Sequence, residues 1–126
     1  MRIEHIGLWT RDLEKMKDFY EKYFDVRSGE RYHNSSKKFT SYFLTFESGS
    51  RLELMKREDI SRPNSESFGY AHLALAAGSQ SQVDDLVSRL TNDGFELLNG
   101  PRTTGDGYYE AVIKDPEGNL IEVMAD

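Results

Sequence analysis

Asp115-Pro116-Glu117-Gly118-Asn119-Leu120-Ile121-Glu122-Val123 is the stretch whose reading decides the fold. Pro116 stands at the second position of a tight turn, and Asp, Gly and Asn around it are residues that such turns favour. The chain leaves the turn as a strand. Side chains alternate across a strand, so Ile121 and Val123 take one face and Glu122 takes the other. An apolar face that can pack on helices is thus backed by a carboxylate.

Three other stretches repeat this design. Leu52 and Leu54 flank Glu53; Ile6 and Leu8 take the face opposite His5; Leu73 and Leu75 take the face opposite His72. His5 to His72 is 67 positions and Glu53 to Glu122 is 69, so His then Glu recurs one module later, as in a duplicated chain. Each strand offers its polar side chain to a shared cavity. Two imidazoles and two carboxylates suit a borderline divalent cation such as Zn, Ni, Co or Fe, and the carboxylates balance its charge. Taken singly, each residue is weak evidence: a lone strand His is more often structural, and Glu53 or Glu122 could face solvent on a half-covered sheet. Four candidates at matching positions favour a metal site.

The intervening sequence fills in two matching halves. Residues 2–9 read as a strand, and Thr10 or Asp12 as the cap of a helix. Leu13, Met16, Phe19-Tyr20 and Tyr23-Phe24 recur at helical spacing up to about residue 24 and read as a core stripe. Val26 to Arg31 reads as a short strand and Tyr32 to Lys38 as a polar loop, with His33 solvated in it. Phe39 to Phe46 and Arg51 to Lys56 read as strands around a turn at Glu47-Ser48-Gly49-Ser50. Arg57 to Gly69, charged and containing Pro63, reads as a linker and a candidate flap. The second half follows with a strand at Tyr70–Ala77 and a helix capped by Ser79 or Ser81, carrying Val83, Leu86-Val87 and Leu90 and ending near Asn92-Asp93-Gly94. A strand at Phe95–Leu98, broken by Gly100-Pro101, precedes a loop at 103–107. Strands at Tyr108–Lys114 and Leu120–Met124 complete it. Each half reads strand, helix, three strands, a repeat of roughly 65 residues. The expected architecture is α+β: two tandem βαβββ modules, about 1–57 and 69–126, forming one cupped mixed sheet in a single domain.

Composition bounds the rest. A chain of 126 residues has the length of one domain with a real core. Its net charge of −6 argues against a nucleic-acid partner, which needs a basic face. No apolar run approaches the roughly 18–20 residues of a membrane span, and no apolar signal segment is present. The expectation is a cytoplasmic protein with no membrane partner. There is no cysteine, so thiolate nucleophiles and Cys-based zinc sites are excluded. Any thiol in the chemistry must arrive as a cofactor or substrate.

These residues resemble the vicinal oxygen chelate superfamily of glyoxalase I, bleomycin- and fosfomycin-resistance proteins, extradiol dioxygenases and methylmalonyl-CoA epimerase. The resemblance rests on His5, the Leu13–Phe24 helix with Phe19-Tyr20, Leu52-Glu53-Leu54, Tyr70-Ala71-His72-Leu73-Ala74, and the Asp115–Glu122 stretch. It covers nearly the whole chain. It implies one divalent metal (Zn, Ni or Co, with Fe as a further candidate) held by His5, Glu53, His72 and Glu122, the set of short bacterial glyoxalase I. Fosfomycin-modifying and extradiol enzymes rely on His, His, Glu, and the epimerase has Gln where Glu53 stands. It also implies a homodimer. One position departs: where short bacterial glyoxalase I has an Arg that holds glutathione, this chain has Trp9, and an indole cannot replace a guanidinium that pairs with carboxylates. Trp9 shares a face with His5 and Gly7, which makes it the candidate contact for the thiol; a packing role is the alternative.

The chemistry expected from such a site is isomerisation of a 2-oxoaldehyde hemithioacetal to a 2-hydroxyacyl thioester. A carboxylate removes the C–H proton and returns it at the adjacent carbon. Glu122 is the candidate base and Glu53 its partner, with exchanged roles equally compatible with their placement. The alternatives are an oxygenase or thiol transferase on the same scaffold, or a non-catalytic protein that binds a small aromatic compound.

Overall fold

A computed structural model describes residues 2–61 and 68–126. The chain divides into two compact units, Met1–Pro63 and Asn64–Asp126. Residues 62–67 of the expected linker and flap lie outside the described residues.

The first unit runs β1 (His5–Trp9), α1 (Leu13–Tyr23), β2 (Arg27–Ser28), β3 (Tyr32–Asn34), β4 (Phe39–Thr45) and β5 (Arg51–Arg57). Asp12, rather than Thr10, caps α1: its carboxylate accepts from the Lys15 N–H at 3.0 Å, satisfying one of the donors that a helix start leaves open. The helix buries Leu13, Met16, Phe19, Tyr20 and Tyr23, the expected stripe, over β4 and β5. Beneath it lie Tyr42, Leu44, Leu52 and Leu54, with Leu44 and Leu54 fully buried. Each such side chain contributes about 1.5–3 kcal/mol through burial. The sheet order is β1-β5-β4-β2, with β3 also on β4. β1 runs parallel to β5, and β4 antiparallel to it.

Part of the expected loop at Tyr32–Lys38 is a strand. Tyr32–Asn34 pairs antiparallel with β4, Tyr32 opposite Ser41 and His33 opposite Thr40. The turn shrinks to Ser35–Lys38, where the Asn34 side chain accepts from Ser36 Oγ and the Lys37 N–H. His33 is therefore a strand residue, exposed, with Nδ1 2.8 Å from Thr40 Oγ1. The polar turn residues hid a strand because β2 and β3 share the outer edge of β4, where breaks in pairing are tolerated.

The second unit runs β6 (His72–Gly78), α2 (Gln80–Asn92), β7 (Leu97–Thr103), β8 (Tyr109–Lys114) and β9 (Leu120–Ala125). Ser79 caps α2 in a reciprocal box: Ser79 Oγ accepts from the Gln82 N–H, and Gln82 Oε1 accepts from the Ser79 N–H at 2.8 Å. The helix buries Val83, Leu86, Val87 and Leu90. Ala111, Ile113, Ile121 and Val123 form the sheet side of that core. The order β6-β9-β8-β7 reproduces the first unit's topology, and β6 runs parallel to β9.

β7 corrects a second expectation. The strand does not end before Gly100-Pro101 but runs through that cis bond to Thr103. Its pairing with β8 shifts register twice, between Leu97 and Asn99 and between Asn99 and Arg102. Proline lacks a ladder donor and is admitted on edge strands and at bulges; β7 is at an edge of its sheet.

The turn that opened the reading is tied together by Asp115, which is buried. Its carboxylate accepts from the N–H groups of Glu117 and Asn119, both at 2.9 Å, and from Asn119 Nδ2 at 2.7 Å. Gly118 adopts φ 87°, a left-handed conformation that glycine enters without steric cost. The closed turn sets Lys114 opposite Leu120 and hence Val112 opposite Glu122. The observed fold is α+β: the second unit is βαβββ, and the first follows the same order with its outer strand split into β2 and β3, both paired with β4.

Candidate metal centre

The open face of each sheet carries one His–Glu pair. In the first unit His5 lies opposite Arg51 and Gly7 opposite Glu53. His5 and Glu53 are thus diagonal neighbours across a parallel pair, within reach of long side chains. His5 Nε2 stands 3.8 Å from Glu53 Oε2. In the second unit His72 lies opposite Leu120 and Ala74 opposite Glu122. The same diagonal brings His72 Nε2 to 3.2 Å from Glu122 Oε2. In both units the residue across the parallel strand from the Glu is small, Gly7 or Ala74.

Each imidazole is 41% exposed, and the carboxylates of Glu53 and Glu122 are 15% and 22% exposed. Each unit brings together two of the four expected ligands. Among the described residues no group of three or more His, Cys, Asp or Glu side chains is placed to hold a metal ion.

Sequence reasoning did not single out the shell around His5. Glu4 Oε2 lies 2.5 Å from His5 Nδ1. Its other oxygen, Oε1, accepts from Arg51 Nε at 2.7 Å and Nη2 at 2.6 Å. These contacts, the His5 hydrogen bond foremost, hold the Glu4 carboxyl below its usual range. The Arg51 guanidinium lies 4.1 Å from the Phe43 ring centroid, and His5 meets the same ring edge-on at 5.3 Å. Strand alternation hides Glu4, because neighbours on a strand face opposite ways; Glu4 reaches His5 because it lies just before β1 begins.

Trp9 is on the His5 face and 39% exposed. It meets Phe39 edge-on at 6.1 Å, and the Arg57 guanidinium lies 5.1 Å from its ring. The Tyr32 ring is tilted against that of Phe39, with centroids 6.1 Å apart. Gly7 leaves room for Met55 on the same face, since a Cβ there would come within 2.7 Å of Met55 Cε.

The fold belongs to a known class. The chain is a member of the Glyoxalase/Bleomycin resistance protein/Dioxygenase superfamily, whose family model matches residues 2–123. It is 27% identical to the uncharacterized protein YqjT of Bacillus subtilis, over 98% of each chain. Among solved structures it is similar to a possible glyoxalase from Bacillus cereus, with 28% identity, a TM-score of 0.73 and 98% of each chain covered. The fold is also that of the trypanothione-dependent glyoxalase I of Leishmania major, with a TM-score of 0.80 at 21% identity, covering 99% of this chain and 86% of that one.

Proposed function

We propose that the protein is a metal-dependent isomerase of the glyoxalase I type, which converts the hemithioacetal of a 2-oxoaldehyde into a 2-hydroxyacyl thioester. The observation that carries this is the His–Glu diagonal built twice in the same register, His5 with Glu53 and His72 with Glu122. Together the two pairs would hold one divalent cation, Zn, Ni or Co, with Fe as a further candidate. When bound, the cation polarises the substrate's oxygens and makes the neighbouring C–H more acidic.

Glu122 is the proposed base. Its carboxylate takes the proton from the carbon bearing sulfur and hydroxyl, and returns it to the adjacent former carbonyl carbon. The hydroxyl proton is released as the thioester carbonyl forms and reaches the other oxygen, so atoms and electrons balance within the substrate. Glu53 is its partner and a ligand. His72, 3.2 Å away, orients the Glu122 carboxylate. Trp9 would line the thiol end of the substrate. With an indole at that position, a thiol lacking glutathione's carboxylates is the better partner. The functional assembly is proposed to be a homodimer, as the family resemblance implies.

A second reading is binding of a small aromatic molecule without turnover. The exposed rings of Trp9 and Tyr32, each beside Phe39, favour it. One assay separates the two. Metal-loaded protein is mixed with methylglyoxal and a panel of thiols, and thioester formation is followed by absorbance. Turnover with at least one thiol is expected. No turnover with any thiol, despite a filled metal site, would sink the isomerase and leave the oxygenase, transferase or binding readings.

A further inference from the structure

We infer that Glu4 is a positioning residue: it fixes the tautomer and ring orientation of His5 so that Nε2, not Nδ1, is presented beside Glu53. This rests on the metal-centre reading above. The geometry around His5 is one-sided. Nδ1 faces a carboxylate oxygen of Glu4 at 2.5 Å, and Nε2 faces Glu53 at 3.8 Å. A carboxylate only accepts hydrogen bonds, so the neutral ring must carry its proton on Nδ1 to satisfy the contact. That leaves the lone pair on Nε2, the nitrogen directed at the partner ligand. An imidazole's second nitrogen, bonded to a carboxylate, sets which nitrogen is free and raises its basicity.

Glu4 is itself held. Both donors of one edge of the Arg51 guanidinium converge on its other oxygen, Oε1. The guanidinium lies over Phe43, whose ring also takes the edge of His5. Phe43, Arg51, Glu4 and His5 thus form a closed ring of contacts across β4, β5 and the start of β1. The Arg51 charge also offsets that of Glu4, so the carboxylate aligns the imidazole without adding a net negative charge beside Glu53.

The test reads the apo protein first. Long-range ¹H–¹⁵N NMR of the imidazoles, above the pH of imidazole titration, reports which nitrogen carries the proton. In wild type His5 should be protonated on Nδ1. Glu4→Ala should move the His5 proton toward Nε2 while leaving the His72 signals in place. Zinc titration should then show affinity falling about 10- to 100-fold in Glu4→Ala. Glu4→Gln retains an acceptor oxygen and should recover the Nδ1-protonated ring and most of the affinity, which a loss through misfolding would not. An unchanged His5 tautomer in Glu4→Ala overturns the inference, as does an Nε2-protonated ring in wild type. If Glu4→Ala shifts the tautomer but wild type binds no metal, the assignment to Glu4 as the ring's positioning residue stands and the metal-centre reading fails.

Discussion

His72 Nε2 lies 3.2 Å from Glu122 Oε2 although the two residues are not opposite each other in the sheet. Leu120 is the residue opposite His72, and Glu122 reaches back along the diagonal of a parallel pair. His5 and Glu53 stand in the same relation in the other unit. The same diagonal, in the same parallel register and with a small residue opposite the Glu, thus recurs in both units.

Glu122→Gln keeps the side chain's shape and one acceptor oxygen but removes the base. Turnover of the hemithioacetal should fall by about 10²–10⁴-fold, the range of general base catalysis. The measurement is kcat on protein whose metal content matches wild type. A loss confined to KM would assign Glu122 to binding instead.

Asp115→Ala removes a buried carboxylate that accepts three hydrogen bonds from Glu117 and Asn119. Hydrogen bonds to a charged group are worth about 1.5–3 kcal/mol each but are not additive, so a loss of roughly 2–4 kcal/mol is expected. Urea unfolding measures it. Asp115→Asn, which keeps one acceptor, should lose less. Equal stability of all three proteins would show that the turn closes without the carboxylate.

Glu21 gives a pH signature. The Lys17 ammonium at 2.8 Å, then the Ser28 hydroxyl and N–H, hold its carboxyl below the usual glutamate value. A depressed folded-state pKa means stability that is complete above the unfolded-state value and lost as pH falls through the folded one. The stability gap between wild type and Glu21→Gln should therefore be widest near neutral pH and close in acid. Because the carboxylate is partly exposed and screened, the gap should be small and should narrow in high salt. A gap that grows as pH falls would contradict this.

A homodimer is expected, since a unit of about 65 residues buries limited apolar surface alone. Sedimentation across a hundredfold range of concentration should show a species of twice the chain mass. A monomer throughout would remove the dimer and require any metal centre to be complete in one chain.

Alternation alone made most of the fold legible. Leu52 and Leu54, or Ile121 and Val123, could not be buried without turning Glu53 and Glu122 to the opposite face. The Asp115–Asn119 turn was legible because each of its residues has a local role in closing it. What escaped lay on edge strands. Asn34-Ser35-Ser36 and Gly100-Pro101 carry turn chemistry, yet β3 and β7 pass beside or through them, because an edge strand needs partners on one side only. Glu4 and Arg51 escaped for another reason. Their meeting depends on the parallel register of β1 and β5, joining residues 47 positions apart, and no local pattern encodes that register.

Metal titration tests the central claim most directly. Apo protein is titrated with Zn, Ni and Co by calorimetry, and the metal content of the loaded, desalted protein is measured by elemental analysis. One tightly bound ion per His5/Glu53 and His72/Glu122 set is expected, with binding sharply weakened in both His5→Ala and His72→Ala. Absence of stoichiometric binding in folded wild-type protein, or binding untouched by both substitutions, would contradict it.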